Sequence, residues 1–172
     1  WFRRKALPEL VANRFELNEL LGEGGVSRVY RAYDRTVGHE VAIKLLHPRY
    51  LGEGRIRRRF MREARAFKRL RHPNIVKMFD LGDADQGPYI CLEFVQGQTL
   101  STYCETCSFE DFIRVLDDVL AALTAAHVKG VYHRDVKPDN VLVIDLDGAP
   151  CAKLLDFGFA RLDDEEREDS KR

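Results

Sequence analysis

The 172-residue sequence has no charge excess of either sign, since 28 Lys and Arg stand against 28 Asp and Glu. A balanced chain gives no global electrostatic reason to bind nucleic acid or an anionic membrane surface. Cysteine is scarce: there are four, and the one close pair, Cys104 and Cys107, has no second pair beside it. That is neither a disulfide framework nor a zinc site. Long apolar runs are missing as well. Stretches such as Val141 to Ile144 are far too short to cross a bilayer, and the opening WFRRKALPEL has no signal-peptide hydrophobic segment, so a cytoplasmic location is expected. There is no internal repeat and no low-complexity tract. What is present is ordinary globular material, 45% hydrophobic and 33% charged, enough for one domain or two small lobes. The absence of an initiator Met and the charged ending DDEEREDSKR read as a chain cut from a longer one.

Apolar residues alternate in three early segments, Phe15 to Leu21, Arg28 to Tyr33 and Glu40 to Leu46, with glycines or a polar turn between them. This predicts an antiparallel meander. From Arg55 to Leu70 the period changes: Ile56, Phe60, Ala64, Phe67 and Leu70 recur at spacings of four and three, one face of a helix that breaks at Arg71-His72-Pro73-Asn74. Two apolar runs, Ile75 to Leu81 and Tyr89 to Val95, flank a turn-rich loop and predict a hairpin that closes the sheet. After Gly97 a helical stripe runs through Phe112, Val115, Leu116, Val119, Leu120, Leu123 and Ala126 to Gly130 and opens a second lobe. Short strands are expected at Val141 to Ile144 and Lys153 to Leu155, around an Asp147-Gly148 turn. The fold class is α+β, divided into an N-terminal extension (1–13), a sheet lobe (14–95) and part of a helical lobe (96–172).

Gly22-Glu23-Gly24-Gly25 lies between two strand patterns, where the lack of Cβ atoms lets backbone amides approach phosphate oxygens. A dinucleotide fold would need a helix directly after these glycines, whereas Val26 to Tyr30 continues as strand. Lys44 ends the third strand pattern, and Glu63 lies beside the apolar stripe of the helix, positioned to meet a cation from the sheet. Taken singly, each of these is ordinary surface chemistry. The specific signal is His133-Arg134-Asp135-Val136-Lys137-Pro138-Asp139-Asn140, followed after a short hairpin by Asp156-Phe157-Gly158. Together these supply a carboxylate for a substrate hydroxyl, a lysine for phosphate charge, and an amide oxygen with a second carboxylate for hard divalent cations.

With GEGGVSRVYRAYD and HRDVKPDN the chain resembles the eukaryotic-type (Hanks-type) serine/threonine protein kinases, in particular their bacterial members, over nearly its whole length. The resemblance implies a kinase-like fold with ATP and Mg2+ as cofactors and a Ser/Thr-bearing protein as substrate. It places Leu21, Gly22, Gly24, Gly25 and Val29 around the phosphates and the base, Lys44 on the α- and β-phosphates, and Glu63 against Lys44. Ala42 and Leu142 would join Val29 around the adenine. Main-chain groups of Glu93 and Val95 would bond its edge, with Leu92 guarding the deeper pocket. Asp135 becomes the base, Lys137 neutralises the transferred phosphoryl group, and Asn140 and Asp156 hold magnesium. Lys137 in this loop points to serine/threonine instead of tyrosine specificity, and Arg134 to a protein instead of a small-molecule substrate, as well as to an activation loop regulated by phosphorylation. The alternative is a truncated, non-catalytic kinase-like module that binds nucleotide or a partner.

Two departures from the family stand out: Ser27 replaces the third glycine of the phosphate loop, and the chain stops in the activation segment, before an Ala-Pro-Glu signature. The missing helices would leave Phe112, Val115, Leu116, Val119 and Leu123 uncovered. His133 is expected to pack under Phe157 with Phe67 and Met78, His127 to be structural, and His39, His47 and His72 to be exposed loop residues. Basic residues crowd the Arg55 to Arg71 segment, and Asp163 to Asp169 is acidic. Either these are two solvated faces or the second docks on the first.

Overall fold

The computed structural model describes residues 10–157, apart from the side chains of Glu63 and Ala66. Five strands form the first sheet: β1 (Phe15–Glu23), β2 (Ser27–Asp34), β3 (His39–Leu46), β4 (Met78–Ala84) and β5 (Gly87–Glu93), in the order β1-β2-β3-β5-β4, all antiparallel. Helix α1 (Gly54–Phe67) packs on one face of it. A short helix α2 (Leu100–Tyr103) and the long α3 (Phe109–Val128) follow, and β6 (Gln98–Thr99), β7 (Val141–Leu146) and β8 (Ala149–Leu154) make a second, three-stranded sheet.

The expected elements are present with shifted ends. The helix stops at Phe67 instead of Leu70: Lys68 still donates four residues back, to the Ala64 carbonyl, but Leu70 donates only three back, to that of Phe67, in a closing turn. The larger difference is at the fourth strand. Ile75 and Val76, expected in it, belong instead to the lower lobe: Val76 N–H donates to the Leu154 carbonyl (3.0 Å) and Leu154 N–H to that of Asn74 (2.8 Å). One apolar run thus serves two partners, and strand β4 begins only at Met78. The Asp147-Gly148 turn is as expected, with φ of 55° and 82°, the pair of positive values that a two-residue hairpin needs.

The sheet has two buried faces. One, with Phe15, Tyr30, Ile43 and Cys91, closes over Val11. Beneath it Arg14 grips the buried Asp34 with Nε and Nη2 (2.9 and 2.7 Å) and reaches Asp80 (2.9 Å), so the segment before β1 is tied to β2 and β4. The other face continues through Phe60 and Phe67 of α1 to Leu154 of β8 and Val115, Val119, Ala122 and Ala126 of α3. A single apolar core therefore joins the lobes. The expected bare face of α3 is corrected here. Val115 and Val119 are buried, Phe112, Leu116 and Leu123 are half-covered, and the exposed large apolar positions are Phe109, Ile113, Leu120 and Val128.

Candidate functional site

A cleft of about 480 Å³ lies between the two sheets. Its roof is Leu21 and Gly22 from β1, Val29 from β2 and Ala42 from β3; its floor is Leu142 from β7. Glu93 and Val95 close the back, where the chain crosses from one sheet to the other, and Asn140 and Asp156 stand on the lower side. With Leu92, which also lines it, ten residues singled out from the sequence thus line one cavity. Sequence reasoning missed Val76, Thr99, Asp139 and Leu155, which line it as well. Of these, Asp139 and Leu155 could have been found as neighbours of Asn140 and Asp156, whereas Val76 was hidden by its assignment to a strand.

Gly24 and Gly25 are in the tight turn between β1 and β2, where Gly24 N–H donates to the Ser27 carbonyl (2.8 Å). A Cβ added at Gly22 or Gly25 would meet nothing within 4 Å. Internal packing therefore does not demand glycine at either position, and the open space suits a ligand approaching the backbone. Ser27 is buried at the base of this turn.

Lys44 is only 3% exposed, on the inner face of β3, and its ammonium meets the Asp156 carboxylate at 2.6 Å. A buried lysine needs such a partner. Residues 112 positions apart are joined across the cleft by this contact. Asp156 has φ of 39°, and Arg134 has φ of 63°, both in the left-handed region that costs a non-glycine residue energy. Both segments that carry the acidic groups thus hold a residue in this region. Glu63 is on α1, but its side chain lies outside the described residues, as do Gly158 and the acidic run from Asp163 to Asp169.

Residues of the His133 to Asn140 segment form a compact network beside the cleft. Asn140 Nδ2 donates to the Asp135 carbonyl (2.8 Å) and to its carboxylate Oδ2 (3.0 Å), and Lys137 Nζ lies 3.1 Å from the same oxygen. The Lys137 ammonium, helped by the Asn140 amide, holds the Asp135 carboxyl below the usual aspartate range against a smaller upward push from burial. Asp135 is thus ionised and oriented. With its amide nitrogen engaged in this way, Asn140 has its Oδ1 available as a hard donor.

His133 anchors this network from below. It is 1% exposed; its Nε2 donates to the Leu155 carbonyl (2.6 Å) and its Nδ1 accepts from Asp135 N–H (3.3 Å), while burial depresses its pKa. The ring lies 4.8 Å from that of Phe157, which in turn stacks on Phe67 at 5.2 Å. Met78 is in the same core, as expected. The other histidines divide differently. His127 is exposed against Tyr132, not structural in the core, and His47 is mostly covered, with Nε2 3.0 Å from Glu23.

A cleft between a glycine turn and a loop of ionised Asp, Lys and Asn, closed by the ion pair of buried Lys44 with the partly exposed Asp156, has the arrangement expected of a protein kinase. The protein kinase domain family matches residues 15–171, and the chain belongs to it. It is 40% identical over 152 residues to the serine/threonine-protein kinase Pkn1 of Myxococcus xanthus, covering 87% of this chain and 22% of that protein. With the serine/threonine-protein kinase PrkC of Bacillus subtilis it shares 36% over 153 residues, again 87% of this chain and 23% of the relative. Among solved structures, a double mutant of the Mycobacterium tuberculosis PknI kinase domain superposes with a TM-score of 0.76 at 28% identity, over 93% of this chain and 65% of that one. The apo form of PpkA-294 does so with a TM-score of 0.77 at 28% identity, over 97% and 66%. The chain spans roughly a quarter of the length of these curated relatives and about two thirds of the matched structures. Among the described residues no helix is long and apolar enough to cross a membrane.

Proposed function

We propose that the chain is the nucleotide-binding and catalytic-loop part of a serine/threonine protein kinase that transfers the γ-phosphoryl group of ATP to Ser or Thr hydroxyls of a protein. The observation that carries this reading is the convergence of Lys44, Asp156, Asn140, Asp135 and Lys137 around one cleft. Leu21, Val29, Ala42 and Leu142 give the base an apolar slot. Glu93 N–H is already taken by the Lys77 carbonyl (2.8 Å), so Glu93 offers the adenine edge its carbonyl, and Val95 supplies main-chain groups two residues on. The glycine turn of Gly22, Gly24 and Gly25 covers the phosphates, with Gly24 N–H held by the Ser27 carbonyl, and Lys44 compensates the α- and β-phosphate charge.

Asn140 Oδ1 and the Asp156 carboxylate fit a magnesium site, because both are hard oxygen donors and magnesium is commonly held by one or two protein oxygens together with substrate phosphates. Bound magnesium would neutralise phosphate charge. Asp135 accepts the proton of the attacking hydroxyl; Asn140 and Lys137 keep it ionised and aimed, and Lys137 stays close enough to offset charge on the transferred group.

The test is transfer of labelled γ-phosphate from ATP and magnesium to a protein acceptor by the full-length protein, with phosphoamino-acid analysis. Phosphoserine or phosphothreonine that disappears in Asp135→Asn is the expected result. Nucleotide binding with no transfer to any acceptor would favour the non-catalytic module instead, and phosphotyrosine alone would overturn the assigned specificity.

A further inference from the structure

The glycine turn between β1 and β2 has little packing of its own to hold it. A Cβ at Gly22 or Gly25 would meet nothing within 4 Å, and the Gly24 N–H to Ser27 carbonyl bond closes the turn only on itself. Glycine loses more backbone freedom on folding than any other residue, so a turn rich in it needs outside ties to keep one position. Three hydrogen bonds tie this one to the segment just after β3. His47 N–H donates to the Val26 carbonyl (2.8 Å), which carries the pairing of β2 with β3 one step past Leu46. Arg49 Nη2 donates to the Gly25 carbonyl. The third bond joins side chains. His47 Nδ1 accepts from Arg49 N–H (3.3 Å), which leaves the ring proton on Nε2, 3.0 Å from Glu23 Oε1.

Glu23 Oε1 also accepts from Arg28 Nε across the hairpin (2.9 Å). The bonds from Arg28 and, after it, from His47 hold the Glu23 carboxyl below the usual glutamate range, so the acceptor is ionised. The other end of the contact is fixed to the body of the molecule. His47 is mostly covered and stands directly before a single helical turn, Pro48–Tyr50, in which Pro48 restricts the backbone. Its ring meets that of Tyr50 edge-on at 6.3 Å, and Tyr50 packs on the core that joins the lobes. We propose that His47, with Glu23 and Arg49, forms a clasp that fixes the glycine turn over the cleft, which makes His47 a positioning residue for the phosphates of a bound nucleotide. This role rests on the kinase reading above. None of the three side chains lines the cleft, so they act through the turn. A turn held in place beforehand needs less ordering when phosphate arrives, and the saving appears as affinity for the phosphate-bearing ligand.

Calorimetric binding of ATP with magnesium, and of adenosine, to the full-length protein tests this without requiring transfer. His47→Ala should weaken ATP about 2- to 10-fold, the range for one net hydrogen bond, and leave adenosine unchanged, because adenosine has no phosphate for the turn to cover. His47→Gln keeps a donor at similar reach and should recover most of the loss. In a Glu23→Ala background His47→Ala should add nothing, since the two side chains act as one contact. Unchanged ATP affinity in His47→Ala would overturn the proposal, and so would losses that add in the double variant. Equal weakening of ATP and adenosine would overturn it too, by making His47 a general support of the fold. A wild type that binds neither ligand would overturn the kinase reading itself, and this role with it.

Discussion

At the scale of single residues the site depends on charges placed by neighbours. Lys44 has no substitute as a buried cation on β3, so Lys44→Met should lower phosphoryl transfer by about 10²-fold or more, measured as initial rate with ATP and magnesium. Asp135 differs, because its proposed role is on the hydroxyl and not on the nucleotide. Asp135→Asn should keep nucleotide affinity while losing about 10²- to 10⁴-fold in turnover, which binding and rate measurements on the same preparation separate. His133 gives a pH prediction. Its Nδ1 already accepts from Asp135 N–H and its Nε2 donates to Leu155, so the neutral ring is satisfied and protonation would break the first bond. Burial holds its folded pKa below the unfolded value, near 6.5. The unfolded chain therefore takes up the proton first as pH falls, and stability declines from about pH 6.5 down through the folded pKa. Thermal melts across pH 8 to 5 should show this decline, and His133→Phe should flatten it relative to the wild type.

At the scale of elements, legibility in the sequence followed how many partners each segment has. Strands β1 and β2 and helix α1 bury chiefly one face and β3 is one short continuous apolar run, so local pattern was enough to find them. Ile75 and Val76 were misplaced because their partner, β8, is about 80 residues away and leaves no local periodicity. The bare face of α3 was misassigned for a related reason. Its apolar residues extend over more than half the helix circumference, and only the packing on β8 determines that Val115 and Val119 turn inward. The site was more legible than the fold around it, since His133 to Asn140 and Asp156 carry their chemistry in residue type and order. Thr99 and Val76 carry none and were missed. The two faces make opposite predictions in urea unfolding of the 172-residue chain. Leu154→Ala, at a fully buried position, should cost about 2 to 5 kcal/mol. Leu120→Ala, at a position 59% exposed, should stay within about 0.5 kcal/mol. Equal costs would mean that the exposed face of α3 is covered in solution.

On the scale of the whole molecule, the cleft is built from both sheets, and a nucleotide in it would touch roof and floor at once. Leu21, Val29 and Ala42 come from the first sheet; Leu142 comes from the second, and Asp156 follows its last strand. A ligand that requires both lobes binds only the assembled fold and stabilises it by mass action, about 2.7 kcal/mol at a hundred times its dissociation constant. For a domain of this size each kcal/mol moves the melting temperature by about 2 to 4 °C, so saturating ATP with magnesium should raise it by about 5 to 10 °C. The increment has two separable parts. The base slot and the glycine turn would act without metal, whereas the oxygens of Asn140 and Asp156 would matter only with a divalent cation bound. ATP in the presence of a chelator should therefore give a smaller shift than ATP with magnesium. In Asp156→Asn the metal-dependent part should vanish while the metal-free part remains, since the slot lined by Leu21, Val29, Ala42 and Leu142 is untouched. Melting curves of wild type and variant with chelator or magnesium, each referenced to its own ligand-free melt, make the comparison. A magnesium-dependent shift that survives in Asp156→Asn would remove this carboxylate from the proposed metal site.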